Sequence, residues 1–277
     1  MPDKEILLGH SPDPDDAFMF YGLTSGKVPS EGYVIKHLLS DIETLNQYAT
    51  NGKLDLTAIS LHAYAYVKSH YALMACGASM GMGYGPIIVA TKPMTIEELE
   101  RATIAVPGTM TTAFLVLRMV LGHFDYQVIP FDKILFQVAG GSVDAGLIIH
   151  EGQVNYGQME LLNVLDLGKW WSDQTGLPLP LGVNAVKRDL GPAVMKDLSR
   201  LVLRSIEYGM ENPEEALDFA QDYARGLDRQ QLETFVRMYV NQWTLRCGPE
   251  GTKAINELLY RAETERLIPP TLPVDFV

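Results

Sequence analysis

Three turns that directly follow apolar strands carry side chains suited to binding a small anion, and they span residues 10–16, 60–62 and 107–113. In the third turn, Gly108 permits an unusual backbone angle, and the hydroxyl groups of Thr111 and Thr112 stand where a helix begins. The first amides of a helix lack partners within it, so such a start can hold a carboxylate or a phosphate. An ordinary helix cap also explains these residues. Because threonine is common at helix caps, the residue types by themselves favour that simpler interpretation.

His150 is the side chain best placed for proton transfer. It follows the apolar run Ala145–Ile149, which puts its imidazole at the carboxyl end of a predicted strand. Near pH 7 a neutral imidazole can accept a proton from a substrate. The alternative is a histidine that is hydrogen-bonded inside a packed interior. The position of His150 after an apolar strand, taken by itself, favours this alternative. A zinc-protease site is excluded, because the residue three positions after Glu151 is Val154 rather than histidine.

Other reaction classes lack their signatures. The sequence contains no Gly-x-Ser-x-Gly nucleophile turn, and the glycines of residues 81–85 lack the spacing of a nucleotide-binding loop. Cys76 and Cys247 are far apart, outside any metal-ligand spacing, and are predicted to be reduced. We therefore predict a protein that binds a small carboxylated molecule in a cleft, with His150 projecting into that cleft.

The composition narrows the class of partner. The formal net charge is −12 over 277 residues, which argues against binding to nucleic acids or to anionic membranes. No signal peptide opens the sequence, and no apolar run of about 18 residues predicts a membrane helix. These features predict a cytoplasmic protein whose partner is a small molecule. They do not distinguish between a monomer and a homodimer.

Strand and helix patterns alternate along the first two thirds of the chain, whereas the last third is helical. Strands are predicted at residues 6–9, 33–38, 56–60, 87–91, 103–106, 145–149, 162–165 and 181–187. Helices are predicted from Asp13 as the capping residue, at 41–51, 61–67 and 111–121, and from Pro192, Pro213, Asp228 and Pro249. The βαβα order indicates an α/β fold with a parallel sheet.

The return to helices late in the chain predicts two lobes. We expect residues 1–90 and 186–277 to form one lobe and residues 91–185 to form the other, with two crossings as the hinge. In such folds the ligand binds in a crevice at the carboxyl ends of the strands. All three polar turns and His150 would then face the interlobe cleft.

Several blocks of sequence resemble a known family. The opening Ser11-Pro12-x-Pro14-x-Asp16-x-Phe18 resembles the MqnA/MqnD group of the futalosine menaquinone pathway. Five further blocks resemble the MqnD branch in particular, at residues 60–66, 83–86, 107–113, 149–153 and 179–185. Together they span most of the first 185 residues in the expected order.

The resemblance implies a fold like that of type II periplasmic binding proteins, with an interlobe cleft and C-terminal helices. It implies 1,4-dihydroxy-6-naphthoate synthase activity, a lyase reaction that opens cyclic dehypoxanthine futalosine, with no metal and no organic cofactor. The general base of the family matches His150. The implied substrate-binding positions are Ser11, Ala58, Ile59, Ser60, Tyr84, Gly85, Thr111, Thr112, Ala113 and Gly182.

The sequence also departs from the resemblance. Asp13 and Asp15 stand where relatives often carry cysteine and asparagine, and Ala58 stands where they often carry lysine. A chorismate dehydratase-like enzyme is an alternative, against which the block His150-Glu151-Gly152-Gln153 argues. A non-catalytic solute-binding protein for a small carboxylate is the alternative from another functional class.

Overall fold

The computed structural model describes residues 4–277. Two β-sheets form its framework, and the first has six strands. They are β1 (Lys4–His10), β2 (Tyr33–Leu39), β3 (Leu56–Ser60), β4 (Tyr71–Leu73), β5 (Ser79–Gly81) and β11 (Leu179–Lys187). The second sheet has five strands, namely β6 (Ile87–Ala90), β7 (Thr103–Val106), β8 (Asp125–Val128), β9 (Ala145–Ile148) and β10 (Leu162–Asp166).

Both sheets are mixed rather than parallel. In the first, β2, β1 and β3 are parallel, and β11 lies antiparallel between β3 and β4 and also pairs with β5. In the second, whose order is β10-β6-β9-β7-β8, strand β6 runs antiparallel to both of its neighbours. The prediction of a parallel sheet was wrong at β6 and β11, because each of these two strands runs against the βαβ units beside it.

The same two strands bear on the predicted lobe boundaries. β6 belongs wholly to the second sheet and β11 wholly to the first. The chain therefore changes sheets just before Ile87 and just before Leu179, a few residues ahead of the predicted boundaries at residues 90 and 185. Whether the two lobes are separate folding domains stays a prediction.

Twelve helices cover the sheets within the described residues. Those that alternate with the early strands are α1 (Pro14–Thr24), α2 (Ile42–Thr50), α3 (Leu61–Val67), α4 (Ile96–Leu99), α5 (Thr112–Leu121), α6 (Ile134–Ala139) and α7 (Leu167–Thr175). The later ones are α8 (Pro192–Glu211), α9 (Pro213–Gln221), α10 (Arg229–Tyr239), α11 (Gln242–Leu245) and α12 (Gly248–Thr264). None of them is long and apolar enough to cross a membrane.

The burial of each strand follows from its place in a sheet. All five residues of β3 are buried because the strand lies between two others, whereas the edge strand β2 alternates partly buried and exposed positions. The C-terminal helices α8, α9 and α10 pack against α1, which is buried along most of its length. The last third of the chain thus covers the first lobe and fixes the start of α1.

Candidate active site

A cavity lies where strands of both sheets end. Its volume is about 720 Å³, a figure that includes the open solvent at its mouth. Among residues 4–277, the lining includes three carboxylates and no lysine, arginine or histidine. The lining residues are Ser11, Asp13, Asp15, Asp16, Ile42, Ala58, Ser60, Gly77, Ser79, Pro86, Thr111, Thr112, Ala113, Ile149, Leu181, Gly182, Val183, Asn184 and Tyr239.

The start of α5 forms one end of the cavity. The Thr111 hydroxyl caps the helix by accepting a hydrogen bond from the amide of Phe114. The Thr112 hydroxyl donates to the carbonyl of Leu181 at 2.6 Å, which ties this lobe to β11. The first-turn amides of Thr112 and Ala113 have no carbonyl acceptor within the helix. This end therefore offers N–H donors and the positive pole of a helix dipole.

A carboxylate of the opposite lobe already engages the turn before α5. Glu43, on α2, accepts hydrogen bonds from the amides of Thr109 and Met110, the closest at 3.0 Å. Burial raises the pKa of Glu43, and these two amides act against that rise. Asn46 adds a bond to the Met110 carbonyl. The lobes are thus in contact at this turn, and an added anion would find only the amides deeper in the helix.

The start of α1 lines the same cavity with acidic side chains, which form its acidic end. Asp13 occupies the capping position of α1 as predicted, but its side chain accepts no hydrogen bond from the helix. Its carboxylate bonds instead to Arg225 at 2.8 Å. Asp16 accepts a hydrogen bond from the Ser11 amide at 2.7 Å. Burial raises the pKa of Asp16 to about 7, and burial together with the charge of Asp16 raises the pKa of Asp15 well above its usual value.

Asn184 contributes a buried amide to the same cavity. Its side-chain nitrogen donates to the Gly77 carbonyl at 3.3 Å, and its side-chain oxygen has no partner within the described residues. Gly77 has φ +77°, and a Cβ there would lie 2.0 Å from the Asn184 nitrogen. Only glycine therefore allows the loop to approach this side chain so closely.

His150 does not line the cavity, although its chain neighbour does. Ile149 lines the cavity, but His150 is absent from the lining found among residues 4–277 and is 6% exposed. Its Nε2 donates to the carbonyl of Phe131 at 3.0 Å, and its Nδ1 accepts from the amide of Gly152 at 3.0 Å. These two bonds describe a neutral imidazole whose lone pair is engaged. In this conformation His150 does not project into the cleft as the sequence led us to expect.

An ion pair between buried Glu151 and partly exposed Arg225 adjoins this histidine. One oxygen of Glu151 lies 3.1 Å from Arg225, and the other lies 3.5 Å from His150 Nδ1 and lacks a hydrogen-bond partner within the described residues. Arg225 also pairs with Asp13 at 2.8 Å, and its guanidinium lies 4.7 Å from the Phe131 ring centroid. A single arginine thus connects the acidic end of the cavity with the residues around His150.

The structure brings most of the expected binding positions together. Ser11, Ala58, Ser60, Thr111, Thr112, Ala113 and Gly182 all line the cavity. Three positions lie elsewhere. Ile59 is fully buried in the core, the hydroxyl of Tyr84 donates to the Met238 carbonyl, and Gly85 packs against Gly168.

Sequence reasoning missed several residues of the site as members of it. Tyr239 lines the cavity and donates its hydroxyl to Gln153 at 2.7 Å, which joins α10 to the second lobe. Arg225 and Glu43 also reach across between the lobes. Tyr239 and Arg225 lie in the helical last third, where a periodic pattern reports only which face is buried. Asn184 and Asp16 did carry a signal, because they belong to the blocks at residues 179–185 and 11–18.

Comparisons with known proteins agree with this architecture. A family model described as menaquinone biosynthesis matches residues 6–264. A protein of Thermus thermophilus named 1,4-dihydroxy-6-naphtoate synthase is 42% identical over 97% of both chains. A protein of the same name from Streptomyces coelicolor is 33% identical over 99% of this chain and 98% of that one.

Solved structures extend the comparison to the fold. A crystal structure of an Archaeoglobus fulgidus protein has a TM-score of 0.92 and 45% identity, covering 95% of this chain and 98% of that one. The alkanesulfonate-binding protein from Xanthomonas axonopodis has a TM-score of 0.75 at 12% identity, covering 98% of this chain and 96% of that one. The two-lobed periplasmic-binding-protein-like fold is thereby confirmed. By the extent of the match to its family model, the chain belongs to the menaquinone biosynthesis family.

Proposed function

We propose that this protein is a carbon–carbon lyase that converts cyclic dehypoxanthine futalosine to 1,4-dihydroxy-6-naphthoate. The observation that carries the proposal is the 42% identity, over 97% of both chains, to a synthase of that name. The cavity lies at the strand ends, where folds of this kind bind their ligands. The cytoplasmic location of the protein, expected from the sequence, stays a prediction.

The substrate carboxylate would bind at the start of α5. The amides of Thr112 and Ala113 are free of helix partners, and the cavity reaches both residues. Glu43 already satisfies the amides of Thr109 and Met110, so the substrate would use the next amides along the chain. The helix dipole favours a negative charge at this point and would supply the attraction that a lysine gives elsewhere.

His150 would act as the general base after a local rearrangement. It must release the Gly152 amide to free the Nδ1 lone pair, or release the Phe131 carbonyl to turn its ring toward the cavity. A proton taken up by the ring would be stabilised by Glu151, whose free oxygen lies 3.5 Å from Nδ1. Removal of the proton from a hydroxyl group β to a carbonyl would form a new carbonyl there and break the carbon–carbon bond between the two. The electron pair of that bond would pass to the original carbonyl as an enolate in this retro-aldol-type cleavage, and aromatisation of the product would drive the reaction.

The decisive experiment follows product formation by mass spectrometry with purified protein and cyclic dehypoxanthine futalosine. Wild type is expected to form the naphthoate. His150→Gln is expected to reduce turnover by about 10²–10⁴-fold while retaining product binding. His123→Gln is the matched control because His123 is exposed.

Three outcomes would contradict the proposal. Near-normal turnover by His150→Gln would remove the histidine from the mechanism. Tight binding of the substrate without any product would favour the non-catalytic binding protein. Dehydration of chorismate in a parallel incubation would favour the sister enzyme.

A further inference from the structure

We propose that Glu151 and Arg225 are positioning residues that select the reactive form of His150. In this form the imidazole carries a proton on Nδ1, which bonds to the Glu151 carboxylate, and a lone pair on Nε2, which serves as the base. Arg225 holds Glu151 in place from the opposite lobe. The inference rests on the proposed function for the reaction, and it deepens that function by assigning the base to one nitrogen and naming the groups that orient it.

The free oxygen of Glu151 lacks a hydrogen-bond donor. The Glu151 side chain is almost completely buried, and its Oε2 has no hydrogen-bond partner among residues 4–277. Nδ1 of His150 lies 3.5 Å away, which is too long for a good hydrogen bond but is closed by a small shift of the ring. A buried carboxylate oxygen without a donor is unfavourable, and a proton on Nδ1 would remove this penalty.

The bonds of His150 in this structure belong to the other tautomer. Its Nδ1 accepts from the Gly152 amide and its Nε2 donates to the Phe131 carbonyl, both at 3.0 Å. After a change of tautomer, Nδ1–H would face an amide donor and the Nε2 lone pair would face a carbonyl, so the ring must leave both groups together. The structure thus describes a resting state of the base, with the carboxylate for its reactive state already beside it.

Two cavities indicate which nitrogen meets the substrate. Phe131, the partner of Nε2, lines a small cavity that shares Ile149 and two further residues with the main cavity. Within the described residues, Gly152 and Glu151 beside Nδ1 line neither of these cavities. A substrate that displaces the Phe131 carbonyl would therefore meet Nε2. One ring nitrogen then acts as the base while a carboxylate orients the other, an arrangement that recurs in enzymes.

Arg225 connects this arrangement to the opposite lobe. It lies between α9 and α10, which pack on α1 of the first lobe. Its guanidinium lies 3.1 Å from the second Glu151 oxygen, 2.8 Å from Asp13 and 4.7 Å from the Phe131 ring centroid. With both carboxylates ionised, one arginine faces two negative charges, so the cluster is complementary to one more cation. An imidazolium at His150 supplies that cation.

The proton transfer balances within this cluster. The O–H bond of the substrate hydroxyl group breaks and an Nε2–H bond forms, while Nδ1–H stays on the ring. The electron pair remains on the substrate oxygen and forms the new carbonyl as the carbon–carbon bond breaks. Glu151 pairs with the positive charge of the imidazolium, which stabilises the ring in the step that generates it.

Nitrogen NMR on the intact protein tests the tautomer directly. In protein whose histidines carry an NMR-active nitrogen isotope, the signals of His150 are those lost in His150→Gln. In free wild type we expect a proton on Nε2 only. With saturating 1,4-dihydroxy-6-naphthoate, whose hydroxyl groups can donate to Nε2, we expect a proton on Nδ1. Bound product that leaves Nδ1 without a proton would overturn the inference, and this measurement needs no site variant that must fold with a changed charge.

Glu151→Gln tests the orienting carboxylate. The substitution keeps the side-chain volume, and if its oxygen stays on Arg225 its amide donates to Nδ1, which favours the resting tautomer. We expect kcat to fall about a hundredfold and KM to change less than about threefold. The product-bound spectrum should keep its proton on Nε2. Glu233→Gln, which loses an exposed pair with Arg237, is the matched control. A wild-type kcat or a wild-type bound spectrum in folded Glu151→Gln would contradict the proposal.

Arg225→Gln tests the hold from the opposite lobe. Without the cation, Glu151 is free to leave its position beside the imidazole, and we expect kcat to fall about tenfold. The product-bound spectrum should then contain both tautomers. An unchanged kcat together with a wild-type spectrum in folded Arg225→Gln would overturn the role of Arg225.

These measurements are separable from the proposed reaction. A proton that moves to Nδ1 when naphthoate binds, without turnover of cyclic dehypoxanthine futalosine, would leave the positioning role standing and would remove the proposed function. Turnover by a wild type whose Nδ1 stays unprotonated with bound product would do the reverse.

Discussion

Two helices begin at the same cavity, and their first turns are occupied in opposite ways. The start of α1 carries its own carboxylates, Asp15 and Asp16, so its dipole is already complemented. The first turn of α5 contains no acidic residue, and its lining residues Thr111, Thr112 and Ala113 are neutral. Equivalent backbone geometry thus gives one helix start that its own acidic side chains already occupy and one that is open to an anion, and the side chains alone decide which is which.

The most direct way to abolish this difference is to give α5 a carboxylate of its own. Ala113→Asp would occupy the free amides and repel an incoming anion. We expect the affinity for 1,4-dihydroxy-6-naphthoate to fall on the order of a hundredfold, as for the loss of hydrogen bonds to a charged group. Ala113→Asn is the control, because it adds nearly the same volume without charge. Equal losses in the two variants, measured by calorimetry, would show that bulk rather than charge is responsible.

The next largest effect is expected at the arginine that holds the acidic end in place. Arg225→Gln removes the cation between Asp13 and the buried Glu151. Because a buried carboxylate without its partner is costly and Arg225 is partly exposed, we expect a loss of about 2 kcal/mol in the free energy of unfolding. Urea denaturation measures this loss. Arg229→Gln, whose partners Glu214 and Asp218 are exposed, should lose less than about 1 kcal/mol.

A smaller effect is expected where the opposite lobe covers the turn before α5. Glu43→Gln replaces the carboxylate that accepts from the amides of Thr109 and Met110. Two charge-assisted hydrogen bonds weaken, so we expect a loss of about 1 kcal/mol in the free energy of unfolding. Glu100→Gln, at an exposed position, provides the control. If both variants are equally stable, Glu43 does not join the lobes in solution.

The smallest expected effect is a change in how stability depends on pH. Burial raises the pKa of Asp15 well above its usual value, so the folded protein retains a proton that the unfolded chain releases above pH ~4. Its stabilising contribution is present below that pH and is lost as pH rises through the folded pKa. We therefore expect the thermal midpoint of Asp15→Asn to fall less between pH 4 and 8 than that of wild type.

Buried histidines act in the opposite sense and make wild type the necessary reference. Burial lowers the pKa of His10 to about 3 and that of His62 to about 4, so each favours folding more as pH rises toward ~6.5. Both proteins contain these histidines, so their contribution cancels when the thermal midpoint of wild type is subtracted from that of Asp15→Asn at each pH. Parallel curves for the two proteins would contradict a raised pKa at Asp15.

Local patterns predicted the elements of the fold better than the contacts between them. Strand β3 and helix α3 have the predicted bounds, Leu56–Ser60 and Leu61–Val67, because burial and periodicity are local properties. The place of β11 between β3 and β4 was missed, since it depends on pairing between residues far apart in the chain.

The same limit applies to the site. The resemblance to the MqnD branch identified seven of the lining positions, Ser11, Ala58, Ser60, Thr111, Thr112, Ala113 and Gly182. The sequence did not reveal that Arg225 pairs with Asp13, some 212 residues away. It also could not reveal that His150 is held by two backbone groups, because these bonds depend on how the loop at Phe131 folds.

The insertion of β11 between two early strands has a consequence for biosynthesis. The first sheet cannot be completed until Leu179–Lys187 has left the ribosome, although β1, β2 and β3 emerge long before. By then all five strands of the second sheet, from Ile87 to Asp166, are already available for pairing. Long-range pairing forms slowly, and domains generally fold as units during synthesis. The lobe encoded in the middle of the gene is therefore expected to fold first. The N-terminal strands are expected to complete their sheet only after β11 has been synthesised.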